Sequence, residues 1–260
     1  MAPDREAHIT VRDLTLAYGD FVLMEKISFE VGRGDIFIIM GGSGCGKSTL
    51  LKYLIGLKEA DHGGEVRYGD QSFTAADPDQ RSLMQRRFGI LYQKGALFSS
   101  MTLAENIMLP LGEFTDLPEG ERREVAALKL ALVGLKGFEN HFPSEISGGM
   151  QKRAGLARAM ALDPEVLFFD EPSAGLDPIT SKLLDDLILE LRDSLGSTVV
   201  IVTHELASIF AIGDNSIFLD PKKRGIAARG HPKEILEHCD DPEVHRFLTR
   251  DAPAEGETKR

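Results

Sequence analysis

A glycine-rich segment between an apolar run and a helical pattern has the residue types needed to bind phosphate. The segment from Gly41 to Ser48 matches the pattern G-x-x-x-x-G-K-[S/T]. Glycines let backbone N–H groups point at one anion, and the following helix adds the positive end of its dipole. Lys47 would contact the terminal phosphates, and Ser48 would offer a hydroxyl to Mg²⁺. The segment predicts a nucleoside triphosphate site formed by Gly41, Gly42, Ser43, Gly44, Cys45, Gly46, Lys47, Ser48 and Thr49.

Cys45 lies inside this loop and allows two interpretations. The favoured one is a small residue that the loop tolerates. The alternative is a thiol activated by the positive end of the helix, because nearby positive charge lowers the pKa of a cysteine. Labelling of Cys45 with and without nucleotide would separate the two.

Two adjacent carboxylates, Asp170 and Glu171, end a second apolar run, from Val166 to Phe169. Neighbouring side chains on an extended segment point in different directions. Asp170 is therefore predicted to serve Mg²⁺, and Glu171 to act as the base for a water that attacks the terminal phosphate. The alternative is an acidic strand end that is simply exposed at the surface. The presence of a phosphate loop in the same chain makes this alternative less favoured.

A second glycine turn precedes another helix, in the segment of Ser147, Gly148, Gly149, Met150 and Gln151. A glycine turn at a helix N-terminus is again an anion site. One triphosphate does not need two such sites in one chain, whereas two triphosphates shared between two chains do. The pattern predicts that each phosphate chain lies between the first loop of one copy and the second turn of the other.

Apolar runs show which elements must position these residues. Ile36 to Met40 is continuously apolar and leads into the phosphate loop, and Val199 to Val202 is a third run of this kind. Strands that alternate with helical patterns indicate an α/β fold with a largely parallel sheet. Ile9 to Leu16 reads as a strand with a break at Asp13, and Glu121 to Leu132 as a helix.

A later helix is predicted from apolar residues at helical spacing. One apolar face is expected from Leu183, Leu184, Leu187, Ile188, Leu191 and Leu195. The pair Lys152 and Arg153 is interpreted as a solvated helix face. Residues 231–250 are expected to pack on their own domain, with a contact between two copies as the alternative. Residues 251–260 are predicted to be disordered.

The second glycine turn resembles the signature motif of ATP-binding cassette (ABC) ATPases. Ile146 takes its leading position, and Met150 stands where glutamine is commoner. The resemblance covers nearly the whole chain and implies ATP and Mg²⁺ as ligands. It also implies a homodimer that closes head to tail around two ATP molecules, with the signature residues Ser147 to Gln151 contacting nucleotide.

The remaining landmarks of the ABC family occur in the expected order. The resemblance implies that Tyr18 stacks on adenine and that Gln93 contacts Mg²⁺ and the reacting water. The segment from Ser173 to Asp177 would cross the dimer interface, with Asp177 near the nucleotide. His204 matches the histidine that lies near the terminal phosphate in the family. The implied catalytic set is Lys47, Gln93, Glu171 and His204, and the implied metal set is Ser48, Gln93 and Asp170.

The resemblance also implies the architecture. It predicts one domain with a P-loop NTPase (RecA-like) α/β core, an N-terminal antiparallel β subdomain and an inserted α-helical subdomain. The core with its β subdomain is expected in residues 1–95 and 163–230, and the helical subdomain in residues 96–162. Residues 231–250 form a C-terminal extension in this division.

A closer resemblance is to the ATPases of MCE-type lipid transporters, the Mla class. It rests on the stretch from Tyr92 to Thr102, on the Ser-Gly-Gly-Met turn and on Gly175 to Ile179. It implies phospholipid transport between bacterial envelope membranes and a place on the cytoplasmic face of the inner membrane. The implied partners are permease subunits, an MCE-type lipid-binding protein and a small accessory subunit. A transporter of amino acids or other small solutes is the alternative.

Composition excludes several competing classes. The net charge of −11 argues against non-specific binding of nucleic acid or anionic lipid. Two cysteines, Cys45 and Cys239, are too few for a disulfide framework or a zinc site, so a reducing compartment is expected. DNA-repair and chromosome-organising ATPases with the same motifs need long coiled-coil or zinc-containing inserts, which the sequence lacks. No nucleic-acid partner is expected.

Overall fold

The computed structural model describes residues 6–250 of the chain. Residues 251–260, which the sequence predicts to be disordered, lie outside the described residues. No helix within residues 6–250 is long and apolar enough to cross a lipid bilayer. The elements in chain order are β1 (Ala7–Tyr18), β2 (Phe21–Gly32), β3 (Ile36–Met40), α1 (Lys47–Leu54), β4 (Glu65–Tyr68), β5 (Gln71–Ser72), α2 (Pro78–Gln85), β6 (Phe88–Leu91), α3 (Leu103–Phe114), α4 (Glu119–Leu132), a 3₁₀ turn (Pro143–Glu145), α5 (Gly148–Ala159), β7 (Val166–Asp170), α6 (Pro178–Leu195), β8 (Thr198–Val202), α7 (Leu206–Ile212), β9 (Asn215–Asp220), β10 (Gly225–Gly230), α8 (Pro232–His238) and α9 (Pro242–Thr249).

A six-stranded, mainly parallel sheet is the centre of the described part of the chain. Its order is β10-β9-β3-β8-β7-β6, and only the pair β9 and β10 is antiparallel within this range. Every residue of β3 and β8 is buried, as expected for strands covered on both faces. The predicted α/β fold with a parallel sheet is confirmed.

Alternate residues of β3 point into two different hydrophobic cores. Ile36, Ile38 and Met40 pack with buried residues of the helices from α3 to α9. Phe37 and Ile39 pack instead with α1 and with the N-terminal strands. The strand is therefore held on both faces up to its carboxyl end, which is the edge where ligands bind in open α/β sheets.

An antiparallel sheet in the order β2-β1-β4-β5 covers one face of the core and is the predicted N-terminal β subdomain. The sequence predicts a break at Asp13. The strand continues there through a bulge, because Asp13 takes φ 48° and the register shifts between Val11 and Leu14. The sequence thus located the irregularity at Asp13 correctly, but the irregularity is a bulge within one strand and does not interrupt it.

The inserted helices α3, α4 and α5 lie between β6 and β7 in the chain and pack on one another. A capping box begins α3, in which Thr102 and Glu105 each accept a hydrogen bond from the other's backbone N–H. The next helix, α4, begins at Glu119 rather than at Glu121, because Pro118 supplies the extended residue before it. The subdomain boundaries near 96 and 162 remain predictions.

The predicted apolar face of α6 is only partly correct. Leu184, Ile188 and Leu191 are buried. Leu183 is 62% exposed and Leu195 38% exposed. Leu183 precedes Leu184 by one residue, or about 100° around the helix, and so lies outside the buried stripe. Leu195 is the last residue of the helix and passes beyond the core.

The C-terminal extension packs on its own domain. Val244 and Leu248 of α9 are buried in the same hydrophobic core as Ile36, Ile38 and Met40 of β3. Phe247 lies edge-on to Phe218 of β9, with ring centroids 5.2 Å apart. These contacts agree with the favoured interpretation of residues 231–250.

Candidate functional site

The phosphate loop joins β3 to α1 at the carboxyl edge of the central sheet. Gly41, Gly44 and Gly46 have φ values of 149°, 75° and 103°, which favour glycine. A Cβ atom on Gly46 would also meet Leu23 Cδ2 at 2.8 Å. The Lys47 ammonium is buried and donates hydrogen bonds to the carbonyl oxygens of Gly41 at 2.9 Å and Gly42 at 3.0 Å. The loop thus holds the lysine over the positive end of α1, which has no acidic residue in its first turn.

Two of the predicted metal ligands contact each other. The Ser48 hydroxyl donates to Oδ1 of Asp170 at 3.0 Å. Asp170 ends β7, and β8 separates β7 from β3, so the sheet brings the two side chains together. Burial raises the pKa of Asp170, while the hydrogen bond from Ser48 opposes that increase. A cation at this position would favour the ionised carboxylate.

Glu171 and His204 form a second polar pair beside the first. Nδ1 of His204 lies 2.7 Å from Oε1 of Glu171. The other oxygen, Oε2 of Glu171, is buried and has no hydrogen-bond partner among residues 6–250. An unpartnered buried carboxylate oxygen is costly unless a water or ligand hydrogen-bonds to it. This oxygen therefore has hydrogen-bonding capacity that is unused among the described residues.

Two further predicted contacts of the nucleotide, Gln93 and Tyr18, are exposed. Gln93 follows β6, the strand next to β7, and its side chain is exposed. The Tyr18 hydroxyl shares a 2.7 Å hydrogen bond with Thr49 Oγ1. The Lys58 ammonium lies 4.0 Å from the centre of the Tyr18 ring, so a base would stack on the opposite face.

The signature segment begins α5, and its polar side chains make local contacts. Ser147 Oγ accepts from the N–H of Met150 at 3.3 Å and caps the helix. Nε2 of Gln151 donates to the carbonyl oxygens of Pro143 at 2.8 Å and Ile146 at 3.4 Å. Among residues 6–250, these contacts do not join the signature to the phosphate loop. A Cβ on Gly148 would meet open space, whereas a Cβ on Gly149 would lie 2.7 Å from Thr180 Cγ2.

Asp177 caps α6 in the same way. Its Oδ1 accepts from the N–H groups of Ile179 and Thr180, both at 3.1 Å. Hydrogen bonds from Thr180 lower the pKa of Asp177, so the carboxylate is ionised. The side chains of Asp177 and Gln151 serve local structure here, and their contacts with nucleotide remain predictions.

The activated-thiol interpretation of Cys45 is wrong. The side chain is buried, and desolvation raises the pKa of the thiol despite the opposing charge of Lys47. Gly41 approaches closely, since a Cβ on it would lie 2.7 Å from Cys45 Sγ. Cys45 is a small packing residue, as the favoured interpretation stated.

Lys152 was missed, because its pair with Arg153 looks like a solvated helix face. The residue is 7% exposed. Its ammonium donates to the carbonyl oxygens of Pro172 at 2.6 Å, Ala174 at 2.8 Å and Glu171 at 3.3 Å. The only hint in the sequence is the mainly small and apolar character of the rest of the helix, from Ala154 to Ala159.

The geometry can be compared with known proteins. The family model described as "ABC transporter" matches residues 24–174, which include the phosphate loop, the signature segment and the acidic pair. The chain belongs to the ABC transporter family. Cassettes of this family bind and hydrolyse ATP, so the chain is an ABC-type ATPase.

Curated relatives fall under two descriptions. The "Intermembrane phospholipid transport system ATP-binding protein MlaF" of Escherichia coli K12 is 40% identical over 240 residues, which are 92% of this chain and 88% of that protein. The "Probable ribonucleotide transport ATP-binding protein mkl" of Mycobacterium tuberculosis H37Rv is 39% identical over 245 residues, or 92% of this chain. The chain spans only 66% of the length of that mycobacterial relative.

Solved ABC cassettes have the same fold. The dimeric cassette MJ0796 in a post-hydrolysis state with ADP and Pi is 29% identical, with a TM-score of 0.76 over 85% of this chain and 97% of that chain. The protein cbiO1 from Clostridium perfringens is 26% identical, with a TM-score of 0.81 over 95% of this chain and 96% of that chain. The predicted P-loop NTPase architecture is confirmed.

Proposed function

We propose that this chain is the ATP-hydrolysing subunit of a membrane transporter and that two copies share two ATP molecules head to tail. One observation carries the proposal. Ser48, Asp170, Glu171 and His204 lie together beside the phosphate loop. Within residues 6–250, by contrast, the side-chain hydrogen bonds of the signature segment go only to nearby backbone groups, those of Pro143, Ile146 and Met150. Each ATP site would then combine the phosphate loop of one copy with the signature segment of the other copy. The related MJ0796 cassette, solved as a dimer, supports this arrangement.

The phosphate loop would bind the triphosphate. Backbone N–H groups of residues 41–49 and the N-terminus of α1 would contact phosphate oxygens. The Lys47 ammonium would exchange its two carbonyl partners for phosphate oxygens. Ser48 and Asp170 fit Mg²⁺, because both offer oxygen ligands and their oxygens lie 3.0 Å apart. Mg²⁺ would neutralise charge on the phosphates, and Gln93 is the third proposed ligand.

Glu171 would act on the water. Its unpartnered Oε2 would accept the proton as the water oxygen attacks the terminal phosphate. His204 would hold the carboxylate through the 2.7 Å contact with Oε1. The partner copy would contribute the segment from Ser147 to Gln151 to the same phosphate, and Tyr18 would stack on adenine.

Phospholipid is the proposed cargo, moved between bacterial envelope membranes. The similarity to MlaF over 88% of that protein supports this choice, together with the stretch from Tyr92 to Thr102. The proposed partners are permease subunits, an MCE-type lipid-binding protein and a small accessory subunit. The permease would hold the chain at the cytoplasmic face of the inner membrane.

A small-solute transporter is the second candidate. The description of the mycobacterial relative as a probable ribonucleotide transport protein, at 39% identity, favours it. The two candidates share the same ATP chemistry and differ in the permease and the cargo. Evidence that separates them must therefore come from what the assembled transporter contains.

A groove on the helical side of the core is the proposed docking site for the permease. It has a volume of about 290 Å³ and is lined by residues of α2, β6, α3 and the end of α5. Phe114 is 43% exposed at its rim, and the Arg86 guanidinium lies 5.1 Å from the centre of that ring. Exposed aromatic and arginine side chains are enriched at protein interfaces.

Purification of the full-length tagged chain from detergent-solubilised membranes tests the proposal. We expect a multi-span permease and phospholipid to co-purify with the wild type. Phe114→Asp should lose the permease, because a carboxylate would be buried in the groove. Phe21→Asp is the matched control, since Phe21 is 62% exposed on the β subdomain and does not line the groove.

The composition of the complex decides between the candidates. Phospholipid bound with a permease supports the lipid proposal. A permease with a small-solute-binding protein and no enriched lipid favours the second candidate. Ribosomes or nucleic acid in place of a permease would exclude both candidates. Equal loss of the permease in Phe114→Asp and Phe21→Asp would contradict the groove as its docking site.

A further inference from the structure

One buried lysine of the signature helix contacts the backbone around the proposed base. The ammonium group of Lys152 has three donors, and they meet three carbonyl oxygens, those of Glu171, Pro172 and Ala174. Burial lowers the pKa of Lys152, while the charge of Glu171 raises it. The lysine follows Gln151 directly, so it belongs to the first turns of α5.

Glu171 needs such support because its backbone is strained. Its φ is 50°, in the left-handed region that residues with a Cβ adopt at an energetic cost. Such a conformation persists only where the surroundings hold it. The Glu171 N–H donates to the carbonyl oxygen of Val202 at 2.8 Å, and its own carbonyl accepts from Lys152. The residue is thus held from β8 on one side and from α5 on the other.

We infer that Lys152 is a positioning residue that sets the direction of the Glu171 carboxylate and connects it to the signature helix. This inference rests on the proposed role of Glu171. Loss of the ammonium would remove the donor to the Pro172 and Ala174 carbonyls, and it would leave the Glu171 carbonyl with the 3.2 Å hydrogen bond from the N–H of Ala174. The backbone from Glu171 to Ala174 would then relax. Within the described part of the chain, the ammonium of Lys152 hydrogen-bonds to the backbone of residues 171–174 and not to the phosphate loop, Ser48 or Asp170, so nucleotide binding would persist.

Lys129 of α4 provides a matched control. It is 4% exposed, compared with 7% for Lys152, and lies in the same helical subdomain. Its ammonium pairs with Asp163, which lies in the connection between α5 and β7 and is not one of the proposed site residues. Removal of the Lys129 charge therefore perturbs a buried lysine of the same subdomain without a direct effect on Glu171.

The test compares Lys152→Met, Lys152→Arg and Lys129→Met in the full chain. For each variant, kcat, KM for ATP, ATP-dependent dimerisation and Tm are measured. We expect Lys152→Met to lower kcat by about 100-fold, the size of effect that a displaced catalytic group produces, with KM within about threefold of the wild type. Lys152→Arg should recover most of kcat, because a guanidinium also donates to carbonyl oxygens. Lys129→Met should lower Tm and leave kcat per folded chain unchanged.

The failures are distinguishable. If Glu171→Gln keeps wild-type turnover, the proposed function fails together with this inference. If Glu171→Gln loses turnover but Lys152→Met keeps it, the inference alone fails. It also fails if Lys152→Met lowers kcat only in proportion to the folded fraction, or if it abolishes ATP-dependent dimerisation, since either result indicates a purely structural role.

Discussion

At the scale of residues, adjacent carboxylates have separate partners. Asp170 accepts from Ser48, and Glu171 contacts His204. The sequence predicted this division, because neighbouring side chains at a strand end diverge. It could not predict the φ of 50° at Glu171 or the buried contacts of Lys152, because both arise from tertiary contacts between α5, β7 and β8.

Asp185 of α6 gives a prediction for pH dependence. The residue is buried, and desolvation raises its pKa from 3.8 to about 6 despite the hydrogen bond from Ser208 Oγ at 2.8 Å. The native protein then binds this proton more tightly than the unfolded chain does. The free energy of unfolding should therefore fall by up to about 3 kcal/mol as pH rises from about 4 to about 6.

Asp185→Asn should remove this contribution, and chemical denaturation at pH 4.5 and pH 7 would measure it. We expect the difference in unfolding free energy between the two pH values to shift towards greater relative stability at pH 7. Asp186→Asn is the control, because Asp186 is exposed beside it on the same helix. The same pH dependence in the wild type and Asp185→Asn would contradict the prediction.

At the scale of elements, strands were predicted better than helix faces. Continuous apolar runs located β3, β7 and β8, because a strand covered on both faces needs an apolar residue at almost every position. The buried stripe of α6 was drawn too wide, since Leu183 has the residue type of the core but not its angular position. The spacing of apolar residues predicts that a segment is a helix. The elements packed against that helix determine how wide its buried stripe is.

The C-terminal helix α9 should stabilise its own domain. Leu248 is buried in the main core, so Leu248→Ala should lower the free energy of unfolding by about 2–5 kcal/mol. Leu183→Ala is the control, because Leu183 is 62% exposed and its removal should cost less than about 0.5 kcal/mol. Denaturant unfolding measures both. Similar small effects would show that α9 does not belong to the core.

At the scale of the whole molecule, the two glycine motifs form hydrogen bonds with different sets of residues. The phosphate loop contacts Lys47 and the strand edge, and the signature turn contacts Pro143 and Ile146. From a count of anion sites, the sequence predicts that the two motifs belong to different sites shared between two copies, and this sharing remains a prediction. The cargo cannot be read in the same way, because the permease and its lipid-binding partner would select it.

The central claim is that two copies close around shared ATP and that Glu171 then drives hydrolysis. The most direct measurement is the molar mass of Glu171→Gln by light scattering, with and without ATP and Mg²⁺. The account predicts an ATP-dependent dimer that retains ATP, and its loss when Lys47→Ala is added, because Lys47 binds the phosphates. A Glu171→Gln protein that stays monomeric with ATP, or that hydrolyses ATP at the wild-type rate, would contradict the account.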